Sequence, residues 1–329
     1  MPDGAVIPRS MASTTRDTSP DDAPDKPSEL EGGARKGVLK RTFTEFREDN
    51  LTDWAAALTY YGVLAIFPAL LALVSVLGLV GESTTQTLIE NVEKAAPGPA
   101  REIAVSAIEN LQKNSGAAGI LFVAGLAGAL WSASGYVAAF MRASNSIYDV
   151  EEGRPIYKTL PVRLGTTIVL VILLAVTAIG VAVTGPLAEE VGDLVGLGSS
   201  AVLAWDIAKW PVLFLVVSFM FAFLYWAAPN AKQPGFRWVS PGGLLGVAIW
   251  IVASAAFAFY VASFASYNKT YGALGGIIVF LVWLWLSNLA VLFGGQLNAE
   301  IERGREIEAG QPADEEPFLE PRDTRKMKD

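Results

Sequence analysis

Apolar residues fall into six long runs along the chain, and polar stretches separate them. The runs cover about residues 54–80, 117–141, 164–184, 210–227, 242–266 and 274–297. An α-helix needs about 20 apolar residues to cross a hydrocarbon core that is ~30 Å thick. The pattern therefore predicts an all-α, polytopic membrane protein, in which six transmembrane helices form a membrane domain over residues 51–303.

The last run is the least interrupted, and we interpret it as the helix against which the others pack. It follows a turn that contains Tyr267 and Tyr271, and a polar end with Gln296 closes it. Asn288 is a polar side chain inside the run. An amide within a span either bonds to a neighbouring helix or faces a binding cavity, and the sequence is compatible with both.

The connection between the first two runs, residues 81–116, is too polar to cross a membrane. It holds two short amphipathic pieces on either side of Pro97-Gly98-Pro99, which predicts an amphipathic helical hairpin on the extracytoplasmic side. Such a hairpin could cover the bundle or gate a cavity. Within the first run, Pro68 predicts a kink because proline removes a backbone hydrogen bond.

The segments that flank the membrane domain are polar. Residues 1–34 and 304–329 are charged and contain proline, which predicts two disordered cytoplasmic tails, the second after a short helical continuation. Residues 35–50 differ, because apolar residues such as Phe43 and Phe46 recur at helical spacing among Lys and Arg. We predict a basic amphipathic interfacial helix there, packed on an anionic leaflet or on the protein's own cytoplasmic side.

Lys and Arg are concentrated on one side of the predicted membrane domain. They flank the first and last runs and recur in the second and fourth connections. The positive-inside rule assigns this side to the cytoplasm, and an even number of spans places both termini there.

The composition restricts the possible functions. Hydrophobic residues make up 52% of the chain and charged residues 18%, against about 25% charged in a soluble domain. Cys and His are absent, which excludes disulfides, Cys/His zinc sites and catalysis by a His base or Cys nucleophile. The formal net charge of −8 gives no general attraction to nucleic acid. We predict a non-enzyme without catalytic residues, metal, cofactor or nucleic-acid partner.

The middle of each predicted run lacks Asp, Glu, Lys and Arg, which argues against a proton relay. The runs offer aromatic and amide side chains instead, such as Tyr60, Tyr61 and Asn288, and this lining suits an amphiphile better than a small ion. The opposing interpretation is that the aromatic residues mark interfaces and the amide joins two helices. The charged connection around Asn145 and Arg154 is either a cation or acid–base site or a solvated loop.

Several short motifs occur in a specific order between Gly37 and Arg303. They are Ala55-Ala56-Ala57-Leu58-Thr59-Tyr60-Tyr61 with Phe67-Pro68; Trp131 and residues 132–135, followed by Asn145, Tyr148 and Arg154; Ala228-Pro229-Asn230; and Tyr271-Gly272 with Leu274-Gly275, Trp283 and residues 294–299. In this order they resemble the YihY/BrkB family of bacterial inner-membrane proteins. The chain departs from the family at Gln296, where Glu is frequent, so a role that needs that negative charge is called into question.

The resemblance implies a multi-pass, six-helix protein of the bacterial cytoplasmic (inner) membrane. Members of the family are often described as virulence or serum-resistance factors. An old ribonuclease BN label is generally regarded as a misassignment, and a chain without histidine agrees with that view. The molecular activity of the family is not established, and transport of an envelope lipid or other amphiphile is one proposal.

Two functional hypotheses follow. The first is a transporter or flippase-like protein for a lipid or amphiphilic envelope component, with Arg154 or Lys158 at an anionic headgroup. Its predicted substrate-binding residues are Tyr60, Tyr61, Asn145, Arg154, Asn230, Tyr267, Tyr271, Asn288 and Gln296. The alternative is a non-transporting membrane scaffold for envelope assembly, whose tails and hairpin carry the contacts. The predicted partners are accordingly membrane lipids, and envelope proteins or further copies of the chain.

Overall fold

A computed structural model describes residues 32–79, 118–182, 199–233, 235–236, 240–263, 268–313 and 316–327. These ranges contain seven α-helices, namely α1 (Gly32–Glu48), α2 (Leu51–Leu79), α3 (Ala118–Ile147), α4 (Ile156–Ala182), α5 (Ser199–Ala227), α6 (Pro241–Ser263) and α7 (Asn268–Glu308). Within them, β-structure is limited to one isolated bridge between Ala231 and Pro321. The prediction of an all-α protein is confirmed.

Five helices, α3 to α7, are long and apolar enough to cross a membrane. The α2 helix has 29 residues, but side chains in its second half lie outside the described part of the chain. A sixth span at α2, and a kink at Pro68, therefore stay predictions. The predicted hairpin over residues 81–116 and nearly all of the N-terminal tail also lie outside the described residues.

The helices α2 to α7 form a closed ring in chain order. Each packs against the next along the chain, and α7 returns to contact α2. The short connection between α3 and α4, residues 148–155, explains why these helices are neighbours, since a short link leaves successive helices side by side. The α1 helix lies outside the ring, mainly across α7.

The core lies at one end of the ring, which we call the polar end. The polar end comprises α1, the connection at 148–155, the described residues 228–233, 235–236 and 240 of the next connection, and the tail at 316–327. Leu51, Phe140 and Leu292 are fully buried there, and the Phe140 ring stacks on Tyr225 with 6.2 Å between centroids. The Tyr225 hydroxyl donates to the carbonyl of Val291 over 2.6 Å. Apolar packing therefore seals the ring at this end.

The other end of the ring, which we call the open half, is loosely packed. Along α7, the exposed residues are Gly276, Ile277, Ile278, Phe280, Leu281 and Val282. Successive residues on an α-helix are turned by about 100°, so these residues cover every face of α7, including the face directed at the ring interior. Most residues of α3 between 123 and 128 are exposed as well. The open half is therefore an accessible part of the ring with apolar surfaces.

The tail after residue 303 agrees with the prediction only in part. The α7 helix continues to Glu308, in agreement with the predicted short helical continuation, whereas residues 316–327, which we call the strap, lie on the polar end. Phe318 and Leu319 are buried in the core. Arg322 donates to the carbonyls of Ala231 and Trp226 over 2.6 and 2.8 Å. The prediction is wrong for the strap because its charged residues pair with distant connections instead of with water.

The α5 helix begins well before the predicted span at 210–227. Its start at Ser199 places Asp206 and Lys209 inside a candidate membrane span. They are one turn apart, and the Lys209 ammonium contacts the Asp206 carboxylate at 2.7 Å. This mutual neutralisation lets the helix continue through residues that resemble a loop in the sequence. The candidate spans of α3 and α4 likewise extend beyond the predicted runs and include Arg142 and Arg163, which directly flank those runs.

The α1 helix packs on the protein and also presents an apolar strip outward. Val38 is buried against Leu297 and Ile301 of α7. Leu39 and Phe43 remain mostly exposed, among the Lys and Arg residues of the same helix. Packing on the protein's own polar end therefore agrees with one of the two predicted arrangements, and contact with a leaflet stays a prediction.

Candidate functional site

Three of the predicted binding residues, Asn145, Arg154 and Asn230, meet at the polar end. The Asn145 side-chain oxygen accepts from the backbone N–H of Asn230 over 2.7 Å. The Arg154 guanidinium donates twice to the Glu152 carboxylate, at 2.7 Å each, and once to the carbonyl of Ala228 at 2.8 Å. Burial alone would raise the pKa of Glu152, but the hydrogen bonds and charge of Arg154 hold it below its usual value.

Asn230 fastens the strap to these connections. Its amide nitrogen donates to the carbonyls of Glu151 and Asp323 over 2.9 Å each, and its oxygen accepts from the N–H of Asp323. The Asp323 carboxylate in turn accepts from Lys158 over 2.9 Å. We call this network of Asn145, Glu152, Arg154, Asn230 and Asp323 the polar knot. Its one cation, Arg154, is paired with Glu152, so the knot joins helices and leaves no free charge for a headgroup.

A second polar layer joins α2, α3 and α7. Asn288 is 2% exposed. Its oxygen accepts from the Tyr136 hydroxyl over 2.8 Å, and its nitrogen donates to the Thr59 hydroxyl over 3.1 Å. We call Thr59, Tyr136 and Asn288 the floor, because they lie where α7 changes from exposed to buried residues. The geometry agrees with the interpretation of Asn288 as a helix contact, and also places it next to the open half.

Tyr60 and Tyr61 extend this layer to the outer surface. Tyr60 is 61% exposed, and its ring meets the half-buried Tyr61 ring edge-on with 5.4 Å between centroids. The Tyr61 ring lies directly on Gly135 of α3, where an added Cβ would be only 3.3 Å from its Cδ1 atom. The small residue at 135 therefore lets α2 and α3 approach closely.

Two arginines beside these tyrosines were not among the predicted site residues. The Arg142 guanidinium carbon lies 5.8 Å from the centre of the Tyr61 ring. The Arg163 guanidinium lies 5.1 Å from the centre of the Trp131 ring, and its Nε donates to the Ser134 hydroxyl over 2.8 Å. We call Arg142 and Arg163 the arginine pair. A sequence signal exists, because they directly flank the facing ends of the second and third apolar runs.

The remaining predicted residues are not brought to this surface in the described part of the chain. Gln296 is buried in α7, and its side-chain oxygen has no hydrogen-bond partner among the described residues. Tyr267 and the side chain of Tyr271 lie outside the described residues.

A third polar group, the ionic cluster, joins α1, α7 and the strap. Glu300 is buried and accepts from Arg41 over 2.7 Å, and Arg303 contacts Glu45 and Glu316 at 3.2 Å each. Burial and then the charges of neighbouring carboxylates raise the pKa of the nearby Asp49 to about 7. Over the described ranges, no group of three or more Asp or Glu side chains is arranged to hold a metal ion.

Long apolar helices in a closed ring define an integral, multi-pass membrane protein. The model of the family called "Virulence factor BrkB" matches residues 42–317. The chain belongs to this family, which confirms the resemblance seen in its motifs. Most of the strap lies beyond the matched residues.

Individual relatives agree with this assignment. The chain is 34% identical over 278 residues to "Putative ribonuclease-like protein YfkH" of Bacillus subtilis, which covers 83% of this chain and 98% of YfkH. It is 31% identical over 260 residues to a UPF0761 membrane protein of Alkalilimnicola ehrlichii, over 77% of this chain but only 55% of that relative. It is 28% identical over 283 residues to UPF0761 membrane protein MS0032 of Mannheimia succiniciproducens, with 82% and 90% covered. No solved structure matches.

Proposed function

We propose that this membrane protein binds an amphiphile in its open half and moves it across the bilayer. The observation that supports this proposal is the asymmetry of the ring, which is sealed by its core at the polar end and accessible at the other. A carrier that works by alternating access has a space open to one side at a time. The asymmetry of the ring is the feature that we would expect of one such state.

The walls and floor of the space suit an amphiphile. Ile277, Ile278 and Phe280 present apolar surface, which favours acyl chains or other apolar groups. The floor supplies hydroxyl and amide groups at the closed end of this space. A small inorganic ion would find few polar ligands among such walls, so a molecule with one apolar and one polar part is the better candidate.

The other functions receive less support. A scaffold was expected to use its tails for contacts with other proteins, but the strap is occupied by the polar end of the same chain. One relative carries a ribonuclease-like name. We infer no such activity for this chain, because it contains no histidine and its net charge is negative.

We also propose that the polar end faces the cytoplasm of a bacterial inner membrane, as the distribution of Lys and Arg predicts. The chain has no cysteine, so a single Lys232→Cys substitution at the polar end introduces a unique label. A membrane-impermeant maleimide should modify it in inverted vesicles and not in intact spheroplasts. Labelling in intact spheroplasts would reverse the proposed orientation.

Transport is tested with the purified full chain in liposomes that contain fluorescent phospholipid. The rate of lipid exchange between leaflets is followed by chemical quenching from outside. We expect exchange above protein-free liposomes, and at least a tenfold loss in Asn288→Ala, which removes the amide from the floor. The matched control is Ser287→Ala, because Ser287 also bonds between helices, accepting from Trp250 over 3.0 Å, but towards α6.

Two results would contradict the proposal. If wild-type protein gives no lipid exchange above that of protein-free liposomes, the protein does not transport phospholipids and the proposal is contradicted. Equal losses in both variants would show that any broken contact between helices stops exchange, so that the floor has no special role.

A further inference from the structure

We propose that Arg142 and Arg163 bind the phosphate-bearing headgroup of a membrane lipid on the surface formed by α2, α3 and α4. This inference goes beyond the proposed function, because the surface of the pair lies outside the ring and the floor lies inside it. It replaces Arg154 and Lys158 as the expected headgroup contacts, since both are paired with carboxylates in the polar knot.

The charges of the arginine pair are not neutralised by the described chain. Three other cations, Arg41, Arg303 and Lys232, contact a carboxylate within 4 Å. Neither Arg142 nor Arg163 does so among the described residues, and both guanidinium groups lie over aromatic rings on the surface of α2 and α3. Two like charges gathered without a counter-ion are unfavourable, so an anion from outside the chain would stabilise the arrangement.

The aromatic contacts hold the guanidinium groups in place while leaving donors free. A guanidinium over a ring uses its flat face, and its N–H groups point outward along the edge. Arg163 directs its Nε to Ser134 over 2.8 Å and one terminal N–H to the carbonyl of Trp131 over 3.4 Å, which leaves its other terminal N–H groups free, and Arg142 makes no hydrogen bond within the described residues. Phosphate is the anion that such forked donors match best, because two N–H groups can meet two of its oxygens.

The depth of the pair favours a lipid over a soluble anion. Tyr61, which carries Arg142, rests on Gly135, and Arg163 bonds to the adjacent Ser134. At 1.5 Å per residue, Arg142 lies about 7.5 Å from the end of α3 at Ile147, and the level of Gly135 lies about 18 Å from it. Both Arg142 and Arg163 fall within the candidate spans of α3 and α4.

The surface around the pair is apolar. Trp131 is 60% exposed, and the exposed side chains of Leu126 and Ile168 lie on the same two helices. An acyl chain attached to the bound phosphate can therefore remain in contact with hydrocarbon and protein together. Free phosphate would gain nothing from these residues and would lose its hydration.

The test measures lipid binding by native mass spectrometry on the full chain in detergent. The probes are dioleoyl phosphatidic acid and dioleoylglycerol, which share acyl chains and differ by the phosphate. We expect wild-type protein to bind phosphatidic acid at least tenfold more tightly. Arg142→Gln and Arg163→Gln should each weaken binding of phosphatidic acid about tenfold, which equals ~1.4 kcal/mol. Lys232→Gln, which removes a cation already paired with Glu320, should bind like wild type.

Each other outcome overturns the inference. Equal affinity for both lipids, or unchanged affinity in both arginine variants, would exclude a phosphate site at the pair. A similar loss in Lys232→Gln would indicate attraction by general positive charge. If millimolar inorganic phosphate displaces the lipid from wild-type protein, the site is one for free phosphate.

Folding is controlled by size-exclusion chromatography and the Tm of each variant. If a glutamine variant does not fold, the lysine variant at that position is tested instead, because lysine keeps the positive charge but lacks the paired N–H donors of arginine. We expect the lysine variant to bind phosphatidic acid at least threefold more weakly than wild type. Undiminished affinity in the lysine variant would also overturn the inference. If the wild-type protein binds lipid but the arginine variants bind equally well, the site at the arginine pair is excluded and the proposed transport function is unaffected. If binding depends on the arginines but no lipid exchange occurs in liposomes, the site is supported and the transport function is excluded.

Discussion

Replacing Asn230 by Ala provides a quantitative test of the polar knot. The side chain is fully buried and makes two hydrogen bonds of 2.9 Å to carbonyls and one of 3.2 Å from a backbone N–H. Alanine leaves the N–H and the carbonyl of Asp323 in the strap without partners, whereas the carbonyl of Glu151 keeps the N–H of Gly153 over 3.0 Å. Each buried polar group left unpaired costs about 1–3 kcal/mol, and the strap can recover part of this by detaching into water. We expect a loss of roughly 2–4 kcal/mol.

The assay is thermal unfolding of the detergent-solubilised full chain. At about 2 °C per kcal/mol, expected for a chain of this size, Tm should fall by roughly 5 °C. The matched control is Gln233→Ala, which removes one side-chain hydrogen bond of 2.9 Å in the same connection. It should lower Tm by only about 2 °C. Equal Tm values for wild type and Asn230→Ala would refute the assignment of Asn230 as the residue that fastens the strap.

Three further predictions concern the strap and the ionic cluster. Gly153→Ala places a Cβ against a backbone carbonyl of the strap, so trypsin should cleave the strap several-fold faster than in Gly165→Ala, where the added Cβ meets nothing within 4 Å. Burial, and then neighbouring carboxylates, raises the pKa of Asp49 to about 7 from 3.8. Between about pH 4 and 7, the folded state therefore holds a proton on Asp49 that the unfolded state has released. Because of this difference, the stability of the protein falls as the pH rises through that window. The Tm of the Asp49→Asn variant should vary less with pH than the Tm of wild type. Arg41→Met leaves the buried Glu300 carboxylate without its 2.7 Å partner, and should lower the free energy of unfolding, measured with a chemical denaturant, by about 3 kcal/mol. Adding Glu300→Met should restore most of the lost stability. If the double variant restores none of it, the pairing of Arg41 with Glu300 is contradicted.

The fold was largely accessible from hydropathy, because a bilayer imposes both helical structure and a minimum apolar length. The error at α5 shows where this argument stops. Asp206 and Lys209 lower the local hydropathy and were read as loop, yet they neutralise each other one turn apart on a helix. An average of hydropathy along the sequence counts the two charges as two separate unfavourable contributions. In the folded helix the two charges neutralise each other, so most of both contributions disappears.

The strap was missed for a related reason. Charged, proline-containing segments lack the apolar pattern that predicts order. The order of the strap comes from partners that lie 90 or more residues away, such as Asn230 for Asp323 and Trp226 for Arg322. No local pattern in residues 316–327 encodes these partners, so only the tertiary structure could identify them.

The candidate site was predictable in part. Tyr60, Tyr61 and Asn288 were selected by residue type, and the structure places them in or beside one polar layer. The sequence also ranked Arg154 above Arg142, because Arg154 lies in the most charged connection. Which arginine is neutralised depends on whether Glu152 or an aromatic ring faces it, and that choice is made by helix packing.

The pairing of α1 with α7 has a consequence for how the protein is made. Arg41 and Glu300 are 259 residues apart in sequence, and Glu45 and Arg303 are 258 apart. Chains are synthesised at about 5–20 residues per second, so α1 emerges at least ten seconds before its partner exists. During that interval its Lys and Arg residues and exposed Phe43 could keep it at the membrane surface. When α7 is inserted, it would pack against one side of α1 in place of the lipid and would close the ring by contacting α2. Synthesis of the last helix would then be the step that completes the assembly.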